Sequence, residues 1–125
     1  MKKTLLIIDD ELSICMILER YFQSEFQVVI KGDGSDAIRW LEQVGKPHVI
    51  VADYAMPIMN GLDFIKWLRA SPVHKHIPLV MLSGKHETSS KINCLKHGAD
   101  DYVVKPFNPE ELDLRVRKLL SRFNA

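Results

Sequence analysis

One carboxylate follows a short apolar run near the middle of the chain, and it is the first residue from which we expect chemistry. Val49–Ala52 form an uninterrupted apolar run that ends at Asp53, and Pro57 then prevents regular continuation. Such runs are typical of strands buried on both faces of a parallel sheet. Open α/β sheets bind ligands outside the carboxyl ends of their strands, where Asp53 would lie. A loop aspartate that only caps the next helix, starting at about Gly61, is the alternative interpretation.

Three more acidic residues follow the first apolar run of the chain. Asp9, Asp10 and Glu11 come directly after Thr4–Ile8, which we predict as the first strand. If that strand lies beside the one that ends at Asp53, each pair of like charges about 5 Å apart costs roughly 3 kcal/mol at an effective dielectric constant of about 20. Such a cluster indicates a bound cation or the uptake of protons. Oxygen ligands with room for water favour Mg²⁺, with Mn²⁺ as a substitute. The alternative is that these acids only cap the first helix.

Two further strand ends carry groups that would bind an anion formed on Asp53. Ser83 and Gly84 close the fourth predicted strand, and they offer a hydroxyl donor followed by a residue small enough for a ligand to approach. Lys105 and Pro106 close the fifth, where the lysine provides a cation that can reach across the crevice. Taken singly, these are a loop serine and a surface lysine. Together with the acids, they predict one site at the carboxyl edge of the sheet.

Apolar runs and helical patterns alternate along the chain, and this alternation predicts the fold. Strands are predicted at 4–8, 26–30, 49–52, 77–82 and 99–104, each followed by a segment with apolar residues at helical spacing. Five strands that alternate with five helices predict an α/β fold, the flavodoxin-like (βα)5 doubly wound parallel sheet with strand order 2-1-3-4-5. The first and third strands are then neighbours, which brings Asp9 and Asp10 beside Asp53.

The helices are predicted from their inward-facing apolar residues. These are Ile14, Ile17, Leu18 and Tyr21 in the first; Ala37, Ile38, Leu41 and Val44 in the second; Leu62, Ile65 and Leu68 in the third; and Leu112, Val116, Leu119 and Phe123 in the last, which begins with Asn108 as N-cap and Pro109 at N1. The fourth helix, predicted at Glu87–His97 and ended by Gly98, has only Ile92, Cys94 and Leu95 as apolar residues. Because it can bury little area, we predict low local stability for it.

Composition indicates one globular domain without a basic face. The chain has 125 residues, 46% of them hydrophobic and 26% charged, and a formal charge of +1. The near-neutral charge gives no indication of nucleic-acid binding. The apolar run after Lys3 is too short for a signal peptide or a membrane span, so we expect a cytoplasmic protein. Cys15 and Cys94 are predicted to be reduced and at least partly buried, and His74 and His76 to lie on the surface.

These motifs resemble the receiver domains of two-component response regulators, in their single-domain, chemotaxis-type (CheY-like) form. The matching segments lie in family order along nearly the whole chain, and they are Asp9–Glu11, Asp53–Pro57 with Gly61, Ser83–Gly84 and Asp101–Phe107. The resemblance implies that residues 1–125 form one receiver domain and that Asp53 accepts a phosphoryl group from a phosphohistidine. It also implies that Asp10, Asp53 and the backbone carbonyl of Ala55 bind Mg²⁺ directly, and that Asp9 acts largely through a water molecule.

The resemblance further implies how phosphorylation changes the conformation of the domain. Lys105 and Ser83 would hold the phosphoryl oxygens, and the peptide bond between Lys105 and Pro106 would be cis. Ser83 would then move inward and let Tyr102 rotate inward, which changes the surface formed by the fourth helix, fifth strand and fifth helix. A half-exposed Tyr102 on an edge strand is the alternative. Ala55 and Lys85 depart from the usual pattern and would affect the phosphoryl lifetime; Lys85 would be either a second phosphoryl contact or a solvated residue.

The expected partners are a sensor histidine kinase or phosphotransfer protein and a downstream effector or fused output domain, with dimerisation through the changed surface. Neither nucleic acid nor a membrane is an expected partner of this domain. Both a stand-alone receiver and the first domain of a longer protein are compatible with the pattern. Two alternatives stay open: a phosphorylation-independent pseudo-receiver, and an aspartate-nucleophile phosphohydrolase of the dehalogenase-like type. The second alternative needs an acid where the chain has Ala55, so we expect a phospho-acceptor switch and not a multiple-turnover enzyme.

Overall fold

The fold consists of one parallel sheet with helices on both faces. The computed structural model describes residues 1–84 and 88–123, without the side chain of Thr88. The elements are β1 (Lys3–Ile8), α1 (Leu12–Phe22), β2 (Phe26–Lys31), α2 (Gly34–Gln43), β3 (Val49–Asp53), α3 (Gly61–Ala70), β4 (Leu79–Gly84), α4 (Thr88–Lys96), β5 (Asp101–Lys105) and α5 (Pro109–Phe123). All neighbouring strands are parallel and their order is β2-β1-β3-β4-β5, which confirms the predicted fold.

The strand register aligns the carboxyl ends that carry the chemistry. Ile8 at the end of β1 pairs with Ala52, and Asp53 at the end of β3 pairs with Leu82. Gly84 at the end of β4 pairs with Lys105 at the end of β5. Because the strands are parallel, the loops that follow them lie at one edge of the sheet.

Two apolar layers hold the sheet, one on each face. Alternate residues of the strands pack against α2, α3 and α4 on one face, where Phe64, Ile65 and Leu68 of α3 are fully buried. The other set packs against α1 and α5, where Leu18 and Val116 are fully buried. This alternation follows from side chains that point to opposite faces of a strand, and it explains why β3 is buried along its whole length.

The inward faces of three helices differ from the prediction at particular residues. In α1 the buried residues are Cys15, Leu18 and Phe22, whereas Ile17 and Tyr21 are exposed. Residues 12 and 14–18 are all apolar, so α1 carries two stripes at helical spacing, and packing selects one of them. Val44 and Phe123 are also exposed, since Val44 follows the last residue of α2 and Phe123 is the last residue of α5; Leu120 is buried in α5 instead.

The fourth helix buries even less than the sequence predicts. Cys94 is fully buried, but Ile92 and Leu95 are exposed. Glu87, the predicted first residue, lies outside the described residues. Gly98 has a φ of 120°, and the N–H of Ala99 donates to the carbonyl of Cys94 at 2.9 Å, which is the predicted left-handed ending.

Several smaller predictions have clear outcomes. Cys15 and Cys94 are buried thiols, as predicted, and the Asn108 side chain accepts the N–H of Glu110 at 2.8 Å at the start of α5. His74 is buried, contrary to the prediction, because its ring stacks on Trp67. Within the described ranges, the structure contains no helix with the length and apolar character of a membrane span.

Candidate functional site

Three carboxylates meet at the carboxyl edge of the sheet. Asp9 and Asp10 follow β1, Asp53 ends β3, and one oxygen from each lies within 4.8 Å of the others. Asp9 and Asp53 are only 2% and 4% exposed, whereas Asp10 is exposed. The backbone N–H of Glu11 donates to Asp9 Oδ1 at 2.9 Å, which fixes that carboxylate. The predicted proximity of the three aspartates is therefore present, and it follows from the adjacency of β1 and β3.

Lys105 reaches this cluster from the end of β5, across β4. Its Nζ lies 3.0 Å from Asp53 Oδ1, 3.5 Å from Asp9 Oδ2 and 3.7 Å from Glu11 Oε1. The peptide bond between Lys105 and Pro106 is cis, as the resemblance implied. Among the described residues, one lysine thus faces several acidic groups, and these groups carry more negative than positive charge.

Burial and unbalanced charge change the acidity of these groups. Burial, followed by the negative charge of Asp9, raises the pKa of the Asp53 carboxyl to about 6, although the contact with Lys105 opposes the rise. Burial also raises the pKa of Asp9. Burial lowers the pKa of the Lys105 ammonium, but the hydrogen bond and charge of Asp53 outweigh this effect, so the net pKa is raised. The Asp53 carboxylate is therefore short of positive charge.

The donor set of the cluster fits a hard divalent cation. It consists of carboxylate oxygens only, of which two belong to buried groups and one to an exposed group. Such a set suits Mg²⁺ or Mn²⁺, which bind one or two carboxylates and keep several waters. Ala55 is exposed in the loop after β3, two residues beyond Asp53, where its carbonyl could complete the set.

A buried hydroxyl lies on the strand beside Asp53. Ser83 is fully buried, and its Oγ has no hydrogen-bond partner among the residues that the structure describes. Leaving such a group unsatisfied costs about 1–3 kcal/mol. A ligand oxygen above Asp53 would supply the missing partner. Lys85, expected to contact the phosphoryl group or solvent, lies outside the described residues.

The loop between β3 and α3 is closed by backbone contacts. The N–H of Gly61 donates to the carbonyl of Tyr54 at 2.7 Å. A Cβ at Gly61 would lie 2.9 Å from Tyr54 Cα and 2.7 Å from Met81 Sδ, so only glycine fits without rearrangement. Within this loop Ile58 has a φ of 70°. Residue type gives no signal for this conformation, since β-branched residues rarely have positive φ.

Tyr102 is buried on the sheet face that packs against α2, α3 and α4. Tyr102 is 8% exposed, and Lys91 Nζ of α4 lies 5.9 Å from the centre of the tyrosine ring. The alternative of a half-exposed tyrosine is therefore wrong for this structure. The ring occupies the inward side, where it connects β5 with α4.

The comparisons with known proteins agree with this geometry. The family model described as response regulator receiver domain matches residues 5–117. The chain is similar to the DNA-binding response regulator MtrA of Mycolicibacterium smegmatis, with 38% identity over 123 residues that cover 98% of this chain and 52% of the relative. It is also 37% identical over 123 residues to the alkaline phosphatase synthesis transcriptional regulatory protein PhoP of Bacillus subtilis, covering 98% of this chain and 50% of PhoP.

A solved structure supports the same likeness. The receiver domain of the Francisella response regulator 1452 superposes with a TM-score of 0.85 at 33% identity, covering 97% of this chain and 98% of that chain. The chain spans about half the length of the curated relatives that it matches. The likeness therefore extends over nearly all of this chain but over only part of those relatives.

Proposed function

Because this chain belongs to the response regulator receiver domain family, we propose that it is a phosphorylation switch in which Asp53 is the phosphoryl acceptor. The donor is a phosphohistidine of a sensor histidine kinase or phosphotransfer protein. The observation that carries the proposal is the surrounding of Asp53: Lys105 Nζ lies at 3.0 Å, and the buried hydroxyl of Ser83 on the adjacent strand has no hydrogen-bond partner in the part of the chain that the structure describes. These groups provide an acceptor and two donors for a phosphoryl group.

The transfer step is a displacement at phosphorus. A carboxylate oxygen of Asp53 attacks in line, the new O–P bond forms as the P–N bond to the donor imidazole breaks, and that bond's electron pair stays on the imidazole nitrogen. Lys105 neutralises a phosphoryl oxygen, and Ser83 donates its hydroxyl to another. Since the residues do little covalent chemistry of their own, positioning and charge determine the rate.

Asp10, Asp53 and the backbone carbonyl of Ala55 would hold Mg²⁺ directly, and Asp9 would hold it through a water molecule, with Mn²⁺ as a substitute. The oxygen-only donor set and the raised pKa of Asp53 support this assignment. When bound, the ion supplies the positive charge that the cluster lacks and shields the phosphoryl oxygens. Lys105 holds the Asp53 carboxylate through the contact at 3.0 Å, and the N–H of Glu11 fixes the Asp9 carboxylate beside it.

Phosphorylation replaces the single charge of Asp53 by about two negative charges. Lys105 and Ser83 then move toward the phosphoryl group, and β4 transmits the movement to β5 through their pairing at Ser83 and Val104. Tyr102 and α4 respond because they are in contact, and α4 has little buried area to hold it. The changed α4-β5-α5 surface controls a partner, a fused output domain or dimerisation.

The domain works as a switch that promotes its own phosphorylation and dephosphorylation, without multiple turnover on external substrates. The departures from the usual family pattern at Ala55 and Lys85 set the phosphoryl lifetime. We place the protein in the cytoplasm, where the kinase domain of its phosphodonor would act. The relatives are named as DNA-binding and transcriptional regulators, so DNA binding in such proteins would belong to an output domain and not to this one.

A labelling experiment tests this proposal. With ³²P-phosphoramidate and Mg²⁺, the unaltered chain should take up one phosphoryl group, Asp53→Asn none, and Ser83→Ala should be labelled more slowly, by about tenfold, because one oxygen contact is lost. Asp63→Asn, an exposed aspartate at the first turn of α3, is the matched control and should be labelled normally.

The phosphoryl mimic beryllofluoride should shift the NMR signals of Tyr102 and α4 in the unaltered chain. Label that persists in Asp53→Asn would contradict the assignment of the acceptor. A folded, Mg²⁺-saturated chain that takes up no label would instead support a phosphorylation-independent pseudo-receiver. Repeated release of phosphate from small esters would support a phosphohydrolase.

A further inference from the structure

Ile58 has an unfavourable backbone conformation and an exposed side chain. Its φ is 70°, and the N–H of Met59 donates to the carbonyl of Pro57 at 2.7 Å, which closes a tight turn around it. Positive φ is a clear outlier for a β-branched residue. The residue is 90% exposed, so burial in the fold does not compensate for the strain. Stability alone would favour Gly or Asn at this position.

The position of Ile58 relates this residue to the transfer step. Ile58 lies in the loop that follows β3, at the same edge of the sheet as Asp53. It is five residues after Asp53, the last residue of β3. Asp53 is only 4% exposed, so a phosphohistidine on a protein reaches it only if the donor surface covers the surrounding loops. A side chain that projects from one of these loops is then covered as well. Small phosphodonors do not cover it.

We propose that Ile58 is an apolar anchor for the protein phosphodonor, inserted into an apolar depression beside the phosphohistidine. The inference rests on the proposed function and adds a contact that defines the partner. The tight turn holds the side chain outward before binding, so little conformational freedom is lost in the complex. Affinity depends most on side chains that are fully desolvated in a well-packed pocket near the centre of an interface, and an aliphatic anchor in a pocket makes such a contact.

Two phosphodonors separate this contact from the chemistry. The first is ³²P-phosphoramidate. The second is the autophosphorylated catalytic core of a histidine kinase, chosen beforehand as the fastest donor to the unaltered chain in a panel. Ile58→Asn should keep the phosphoramidate rate within about twofold, and it should raise the melting temperature by about 4 °C because Asn tolerates positive φ. Transfer from the kinase core at low receiver concentration should slow by about tenfold.

Two further variants serve as controls. Ile58→Val keeps a branched apolar side chain, and it should transfer from the kinase core within about threefold of the original rate. Val73→Asn removes an exposed apolar residue from the loop before β4, at the opposite edge of the sheet, where the side chain is 73% exposed. It should behave as the unaltered chain with both donors.

The outcomes distinguish a failure of the Ile58 inference from a failure of the proposed function. Equal kinase transfer to Ile58→Asn and to the unaltered chain would overturn the inference and leave the proposed function in place. An equal loss with both donors would also overturn it, since the residue would then shape the site and not the partner contact. An unaltered chain that neither donor can label would overturn the proposed function itself.

Discussion

At the scale of single residues, the position of Asp53 lowers the stability of the folded protein when its carboxyl is ionised. Asp53 is buried beside Asp9, and these two effects raise its pKa to about 6 in spite of Lys105. The folded state therefore disfavours the charged form of this carboxyl relative to the unfolded chain. A bound cation would offset the unfavourable negative charge of Asp53. The electrostatic cost in the free protein therefore favours cation binding, which the proposed reaction needs.

The sign of the pKa shift predicts how stability depends on pH. The pKa of Asp53 rises from 3.8 to about 6 on folding, so the penalty is absent below about pH 4, grows as pH rises, and is complete above about pH 6. In metal-free buffer, Asp53→Asn should increase the free energy of unfolding by up to about 3 kcal/mol at about pH 8, and by little at about pH 4. Urea denaturation with EDTA across this pH range measures the difference.

Asp63→Asn is the control for this pH series, because Asp63 is an exposed aspartate in the first turn of α3 and is not one of the clustered carboxylates. It should give no stabilisation at either end of the range. A gain from Asp53→Asn that is equal at low and high pH would show that packing, and not the ionised carboxylate, determines the effect.

At the scale of elements, Arg69 connects the end of α3 to the segments before β4 and β5. Its guanidinium donates to the carbonyls of Gly98 at 2.9 Å and Ile77 at 2.6 Å, and it pairs with Asp100 at 2.9 Å. Asp100 in turn accepts the N–H of Leu79 at 2.8 Å. The carboxyl end of α4 is therefore anchored, although α4 itself buries little apolar area.

Loss of this anchor should affect stability more than loss of an ordinary surface arginine. Arg69→Met should lower the free energy of unfolding by about 2–4 kcal/mol, because it removes the cation that pairs with Asp100 and the N–H donors to the carbonyls of Gly98 and Ile77. Arg39→Met is the matched control: Arg39 pairs with Asp36 on the surface, and its loss should cost about 0.5 kcal/mol or less. Urea denaturation at neutral pH measures both, and equal losses would argue against an anchor.

At the scale of the whole molecule, folding brings acids from distant parts of the chain to one edge of the sheet. Asp9 and Asp10 follow β1, Asp53 ends β3, and these groups come within 4.8 Å only when the two strands pair. A cation that uses all of them binds the folded state and not the unfolded chain, so binding and folding are linked.

This linkage predicts stabilisation by Mg²⁺. At a concentration about 100 times the dissociation constant, Mg²⁺ should add about 2.7 kcal/mol to the free energy of unfolding of the unaltered chain. Thermal melting in a Mg²⁺ series at constant ionic strength measures the effect. Asp10→Asn should respond much less, because a proposed direct ligand is lost, whereas Asp63→Asn should respond fully. An equal rise in melting temperature with NaCl of matched ionic strength would indicate screening of the acidic groups and not a bound Mg²⁺ ion.

Much of the fold could be predicted from the sequence because it depends on local patterns and simple connection rules. Buried strands have apolar runs, α5 has a capping signal at Asn108, and right-handed crossovers leave few strand orders. The meeting of Asp9, Asp10 and Asp53 follows from that order. The inward face of α1 could be predicted only at Leu18, because apolar residues surround much of that helix and packing selects Cys15 and Phe22 in place of Ile17 and Tyr21.

The sequence by itself determined which groups stand at the strand ends, because strands and their order follow from residue type and spacing. Only the tertiary structure decided the properties of those groups. The raised pKa of Asp53, the complete burial of the Ser83 hydroxyl and the positive φ of Ile58 have no local signature. They depend on solvent exclusion, charges from other strands and loop closure, and these arise only when distant parts of the chain pack together.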